Sequence, residues 1–236
     1  MTRDEARTLV MEVGVVPVIR VSSTRHAIAA AEAVHTGGIP IVEITMTVPG
    51  AIHLIRELSQ RVGKDVLVGA GTVLNLAAAR QCLDAGAEFL VSPGFDPGVV
   101  ELAQREDKLV IAGALTPTEV IAAWNAGSDF VKVFPCSAVG GPKYIQALRA
   151  PLPQVPLIAT GGISLSTAAD YIRAGAMALG VSGELGSTAA LESGGAARIT
   201  DSARLYVAAV REARAEVEAV LARVEPSSRG EVYERQ

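Results

Sequence analysis

Asp84-Ala85-Gly86-Ala87-Glu88-Phe89-Leu90-Val91-Ser92-Pro93-Gly94 is the stretch that decides the fold. It reads as the end of a helix, a glycine turn, and a short apolar strand that stops at a polar, glycine-containing end. Glycine just past a helix end adopts the left-handed conformation that costs other residues energy. A strand with no polar alternation is expected where helices cover both faces of a parallel sheet. The phrase recurs. Thr36-Gly37-Gly38, Asn125-Ala126-Gly127-Ser128 and Arg173-Ala174-Gly175-Ala176 each precede another apolar run. The chain is a weak internal repeat of β/α units.

Working outward, eight strands are predicted: Val15–Ile19, Ile41–Thr45, Val66–Gly69, Phe89–Ser92, Leu109–Ala112, Phe130–Phe134, Pro156–Thr160 and Ala178–Val181. Helical spacing between them predicts Thr24–His35, Ala51–Arg61, Leu76–Ala85, Gly98–Arg105, Thr118–Asn125, Pro142–Leu148 and Ser166–Ala174. Ser23 or Thr24, Asn75 and Ser166 are candidate N-caps. An extra helix near Asp4–Val13 precedes the first strand, and an Ala- and Arg-rich helix, about Thr200–Val224, follows the last. Residues 1–224 then form one domain. Residues 225–236, with Pro226-Ser227-Ser228-Arg229-Gly230, read as a flexible tail. Eight alternating strands can close into a barrel or lie in an open sheet. No G-x-G-x-x-G follows the first strand, which counts against a dinucleotide-binding sheet. Polar and glycine residues gather after the strands' C-terminal ends, where barrel enzymes place their chemistry. The expectation is an α/β protein, a single (β/α)8 TIM barrel with an additional N-terminal helix.

Composition narrows the function classes. The 236 residues are 50% hydrophobic and 19% charged, enough for one large core. A net charge of −4 with no basic block argues against nucleic-acid binding. The apolar runs are too short to span a membrane, and Met1-Thr2-Arg3-Asp4-Glu5 is too charged for a signal peptide. Cys82 and Cys136 stand far apart, as reduced thiols of a cytoplasmic protein do. No His, Asp and Glu cluster has the spacing of a metal site, so no metal is expected. His26, His35 and His53 fall on predicted helices, where surface or packing roles outweigh catalysis.

Four of the 21 cationic residues are lysines, and Lys132 stands inside Asp129-Phe130-Val131-Lys132-Val133-Phe134-Pro135. Burial disfavours an ammonium, and a neutral amine is a nucleophile. The bland alternative is a strand-edge lysine that snorkels to solvent. Glu43, within Val42-Glu43-Ile44-Thr45, must point into the barrel or be paired. Strand period puts it on one face with Ile41. It is a candidate general acid/base, or one half of a buried ion pair with Lys132. Thr160-Gly161-Gly162 and Ser182-Gly183 end the last two strands, where barrels often bind phosphate. Arg20 ends the first strand and is a candidate anion clamp or a solvated loop residue.

These residues stand in five motifs: Val42-Glu43-Ile44-Thr45, Val68-Gly69-Ala70-Gly71-Thr72-Val73, Val91-Ser92-Pro93-Gly94, Val131-Lys132-Val133-Phe134-Pro135 and Thr160-Gly161-Gly162-Ile163. In this order and spacing, over about Val15 to Gly186, the chain resembles the 2-keto-3-deoxy-6-phosphogluconate (KDPG) and 4-hydroxy-2-oxoglutarate aldolases. The resemblance implies a class I aldolase that releases pyruvate and an aldehyde such as glyceraldehyde 3-phosphate. Lys132 would be the Schiff-base lysine and Glu43 the acid/base. Thr72 would bind near the pyruvyl carboxylate, Pro93 and Phe134 would shape the pocket, and Gly161, Gly162, Ser182 and Gly183 would receive phosphate. The resemblance also implies a cytoplasmic homotrimer without metal or other cofactor. Two positions depart from the pattern. Thr47 stands where the family often has a substrate-binding arginine, and Arg20 is the expected replacement cation. Ser182-Gly183 reverses the usual Gly-Ser order. Two other readings are open: a non-covalent phosphate-binding barrel enzyme, and a catalytically unused oligomeric barrel scaffold.

Overall fold

The computed structural model describes residues 1–62 and 65–224. The tail expected at 225–236 lies outside them. Eight parallel strands close in sequential order, β1-β2-β3-β4-β5-β6-β7-β8. They are β1 (Val15–Ile19), β2 (Ile41–Thr45), β3 (Leu67–Gly71), β4 (Phe89–Val91), β5 (Leu109–Ala114), β6 (Phe130–Val133), β7 (Leu157–Thr160) and β8 (Ala178–Val181). Every residue of every strand is buried, which is why none of them alternates in polarity.

The repeated glycine phrase is a repeated helix-to-strand joint. After α4 (Leu76–Asp84), Gly86 takes φ 101°, its N–H donates to Leu83 and the Ala87 N–H donates back to Cys82. This pair of bonds satisfies the orphan carbonyls of the last turn and swings the chain into the next strand. The pattern repeats at Gly127-Ser128 after α6 (Pro117–Asn125) and at Gly175-Ala176 after α8 (Leu165–Arg173). It also occurs at Gly38-Ile39 after α2 (Thr24–Thr36). At Asp107-Lys108, after α5 (Pro97–Arg105), the left-handed residue is not glycine: Asp107 has φ 52°.

N-caps begin the helices. Ser23, Asn75 and Asp96 accept from the N–H three residues on, and Thr116 with Glu119 forms a capping box. The cap expected at Ser166 is instead Ser164, because Thr167, three residues later, completes a box with it. The remaining helices are α1 (Arg3–Val13), α3 (Ala51–Val62), α7 (Pro142–Arg149), the one-turn α9 (Gly183–Gly186) and α10 (Thr188–Val224). The last helix begins well before the expected Thr200 and is broken at Gly195, whose φ of 67° is not helical.

The N-terminal helix α1 packs at the end of the barrel where the strands begin, against β5 and β8. Arg3 Nε donates to Asp129 Oδ1 at 2.8 Å, and the Val110 N–H donates to Asp129 Oδ2 at 2.8 Å. Arg214 of α10 closes the same end by donating to the carbonyls of Glu12 and Met177, both at 2.8 Å. The opposite end, where the strands stop, is left open.

Candidate active site

At that open end lies a cavity of about 500 Å³. Of the sequence-predicted site residues, Arg20, Thr47, Thr72, Pro93, Lys132, Phe134, Gly161, Gly162, Ser182 and Gly183 line it. They come from the C-terminal ends of seven of the eight strands or the loops after them, with β5 as the exception. Glu43 lies behind this wall, 2% exposed.

Lys132 is central in β6, paired in register with Gly113 on one side and Ile158 on the other. It is 7% exposed, and its Nζ sits 5.2 Å from the centroid of the Phe134 ring. The ring face offers a cation favourable electrostatics without committing the amine to a hydrogen bond. Among the described residues no carboxylate lies within 4.0 Å of Nζ. The amine therefore faces the cavity unclamped.

Glu43 stands between Val18 of β1 and Gly69 of β3 in register. Its side chain fills the space above Gly71: a Cβ there would meet Glu43 Oε1 at 1.9 Å. Burial pushes the Glu43 carboxyl above the usual carboxylate range, and the charges of Lys132 and Arg20 partly oppose that shift. A carboxyl with a raised pKa is a stronger base when ionised.

Glycines on neighbouring strands make the room these side chains need. At Gly113, opposite Lys132, a Cβ would meet the Pro93 backbone at 2.2 Å. The buried Ser92 hydroxyl accepts from the Gly113 N–H at 3.3 Å, holding that approach. At Gly180 a Cβ would meet Thr160 Oγ1 at 2.4 Å. Gly161 and Gly162 have φ of 93° and 73°, and their backbones pass close to Phe134 and Ser137. Ser182, which precedes α9, makes no capping hydrogen bond with its side chain.

Four lining residues were not singled out for the site: Val18, Thr160, Ile163 and Gly180. Val18 has the same strand parity as Arg20, and the other three stand in or beside the glycine motifs that end β7 and β8. Arg20 is exposed, and its backbone bridges to Ser187 and donates to the Gly186 carbonyl. Thr47 is held by a 2.9 Å hydroxyl contact with Thr45, whose own hydroxyl donates to the Ile19 carbonyl. The histidines stay away from the cavity. His35 and His53 are exposed, and His26 lies on α2 with Nδ1 buried and unpartnered. Cys82 and Cys136 are free and buried, and burial pushes each thiol up to about 11. Among the described residues no cluster of three His, Cys, Asp or Glu is placed to hold a metal ion, and no helix is long and apolar enough to cross a membrane.

Comparison with known proteins bears on the fold and the family. Residues 7–202 match the family model described as KDPG and KHG aldolase. A 2-dehydro-3-deoxy-phosphogluconate aldolase of Dickeya dadantii is 36% identical, over 82% of this chain and 91% of its own. Among solved structures, a cube-shaped protein cage designed by fusing symmetric oligomeric domains superposes with a TM-score of 0.81 at 30% identity. That match covers 89% of this chain and 77% of the cage chain. A KDPG aldolase of Legionella pneumophila, with pyruvate captured as a covalent carbinolamine intermediate, superposes with a TM-score of 0.75 at 26% identity. It covers 84% of this chain and 96% of the other. The chain belongs to the KDPG and KHG aldolase family.

Proposed function

We propose that this protein cleaves a 2-keto-3-deoxy sugar acid, KDPG or the closely related 4-hydroxy-2-oxoglutarate, to pyruvate and an aldehyde through a Schiff base on Lys132. The observation that carries the reading is a buried, unclamped lysine amine facing a cavity, in the electrostatic field of a buried glutamate. Lys132 attacks the C2 ketone, and the resulting carbinolamine loses water to an iminium. The iminium draws in the electron pair of the C3–C4 bond. Glu43 takes the C4 hydroxyl proton, through water, as that bond breaks and the aldehyde forms. Protonation of the enamine at C3 and hydrolysis return pyruvate and free Lys132.

The other residues divide by position. Arg20 and Thr72 hold the keto-acid carboxylate, with Thr47 beside them in place of an arginine. Pro93 and Phe134 form the walls. Gly161, Gly162, Ser182 and Gly183 take the far end of the substrate, where a phosphate would sit. Among the cavity's lining residues Arg20 and Lys132 are the cations, which supports Arg20 as a carboxylate clamp. A homotrimer in the cytoplasm, with no metal, is the setting the family resemblance supports.

The test is pyruvate release from KDPG, 4-hydroxy-2-oxoglutarate and unphosphorylated 2-keto-3-deoxygluconate, with and without chelator. Turnover of at least one, unaffected by chelator, is expected. Turnover of none sinks the reading. Arg20→Ala is expected to raise KM about 10- to 100-fold, the worth of one charge-assisted hydrogen bond, with kcat little changed. An unchanged KM removes Arg20 from the site.

A further inference from the structure

The far end of the cavity is built from two connections. One runs from β7 to α8 and supplies Gly161, Gly162 and Ile163; the other runs from β8 to α9 and supplies Ser182 and Gly183. Both are rich in glycine and serine, with Ile163 the one large side chain among them. Strand pairing holds β7 to β8 as far as Thr160 and Gly180, and beyond that point the spacing of the two connections depends on what else ties them.

A single side chain does so. Glu184, directly after Gly183, accepts from the Leu165 N–H at 3.2 Å through Oε2, and the same oxygen accepts from the Tyr206 hydroxyl. Leu165 opens α8, two residues beyond Ile163. Tyr206 lies on α10 and is fully buried. Among the described residues this is the one hydrogen bond between residues 161–165 and residues 182–186. Glu184 is exposed, but its bond to the buried phenol restrains the carboxylate, which in turn links the two connections. Ser182 adds no side-chain cap to this arrangement.

We propose that Glu184 is a positioning residue, which sets the spacing of the two cavity walls that receive the end of the substrate remote from the ketone. It touches neither substrate nor Lys132, and it acts through Gly161-Gly162 on one side and Ser182-Gly183 on the other. The proposal rests on the aldolase reading above, and it extends that reading to a residue outside the cavity lining.

The experiment compares wild type, Glu184→Ala and Glu184→Gln in two assays on the same folded samples. One is steady-state cleavage of KDPG, and the other is borohydride trapping with pyruvate alone, which fills only the Lys132 end. Glu184→Ala is expected to raise KM for KDPG about tenfold with kcat within about twofold. Its half-saturating pyruvate concentration in trapping is expected to stay at the wild-type value. Glu184→Gln keeps an oxygen that accepts from both Leu165 and Tyr206, and is expected to restore KM to within about twofold of wild type. An unmoved KM in Glu184→Ala overturns the proposal. So does an equal rise in the pyruvate requirement, which marks a general loosening, and so does a Gln variant as impaired as the Ala variant. Wild type that forms no pyruvate adduct overturns the aldolase reading and this proposal with it. Wild-type adduct with an unmoved KM in the Ala variant overturns this proposal alone.

Discussion

Asp129 immediately precedes β6 and Lys132 lies within it, three residues apart in sequence and at opposite ends of the barrel's function. Both are 7% exposed, so burial alone does not separate them. Their partners do. Asp129 is matched on both oxygens, by Arg3 on one and the Val110 N–H on the other, and it knits α1 to the barrel's closed end. Burial still pushes its carboxyl above the usual range, and those two partners oppose the shift. Lys132 has a ring face and a cavity instead of a matched anion. A buried charge with all its bonds made serves the fold, whereas one left facing a cavity is available for chemistry. Glu43 belongs with Lys132: burial raises its pKa, and the charges of Lys132 and Arg20, not hydrogen bonds, oppose that shift.

The contrast can be broken at either end. Lys132→Met should lower kcat/KM roughly 10⁴-fold or more, equivalent to about 5.5 kcal/mol of barrier, with the fold intact by circular dichroism. Glu43→Gln should lower kcat roughly 10²- to 10⁴-fold. It should also stabilise the protein at neutral and alkaline pH. A carboxyl whose folded pKa is raised destabilises the native state above that pKa, and the penalty fades as pH falls toward the ordinary value of 4.5. A gain of about 1 kcal/mol would raise Tm by roughly 2–4 °C, and the difference should vanish in acid. Melting curves from pH 4 to 8 check the sign; a Gln variant less stable at every pH would contradict the assignment of burial as the dominant cause.

Gly71→Ala tests the packing that aims Glu43. Its Cβ would need the place of Glu43 Oε1, and a displacement of about 1 Å should lower kcat about 100-fold with little change in Schiff-base trapping. At the closed end the effect on catalysis should be smallest. Asp129→Ala strips a partner from Arg3 and from the buried Val110 N–H, at a cost of about 2–3 kcal/mol and roughly 5–10 °C in Tm. The folded fraction should keep wild-type kcat. A large loss of kcat there would mean that the two ends are coupled.

Much of this was legible in the sequence because the barrel's physics is local. Eight apolar runs and a recurring glycine joint announce buried parallel strands, and an ionisable residue inside such a run has few reasons to be there. The misreadings sit where tertiary structure overrules local pattern. β3 is expected to stop at Gly69 and β5 at Ala112. Both run two residues further, to Gly71 and Ala114. Gly71 is needed to admit Glu43 and Gly113 to admit the Pro93 backbone. The glycines that look like strand ends are thus part of the site. Ser166 is the cap that local pattern offers, but Ser164 caps the helix because Thr167 completes the box with it. Glu184 carried no signal at all, because its partners, Leu165 and Tyr206, are distant in sequence and meet only in the fold.

The most direct test of the central claim is borohydride reduction in the presence of pyruvate, followed by peptide mass spectrometry. The chain offers four lysines, Lys64, Lys108, Lys132 and Lys143. The account predicts one stable adduct, on the peptide that contains Lys132. No adduct in folded protein, or an adduct confined to another lysine, would contradict it.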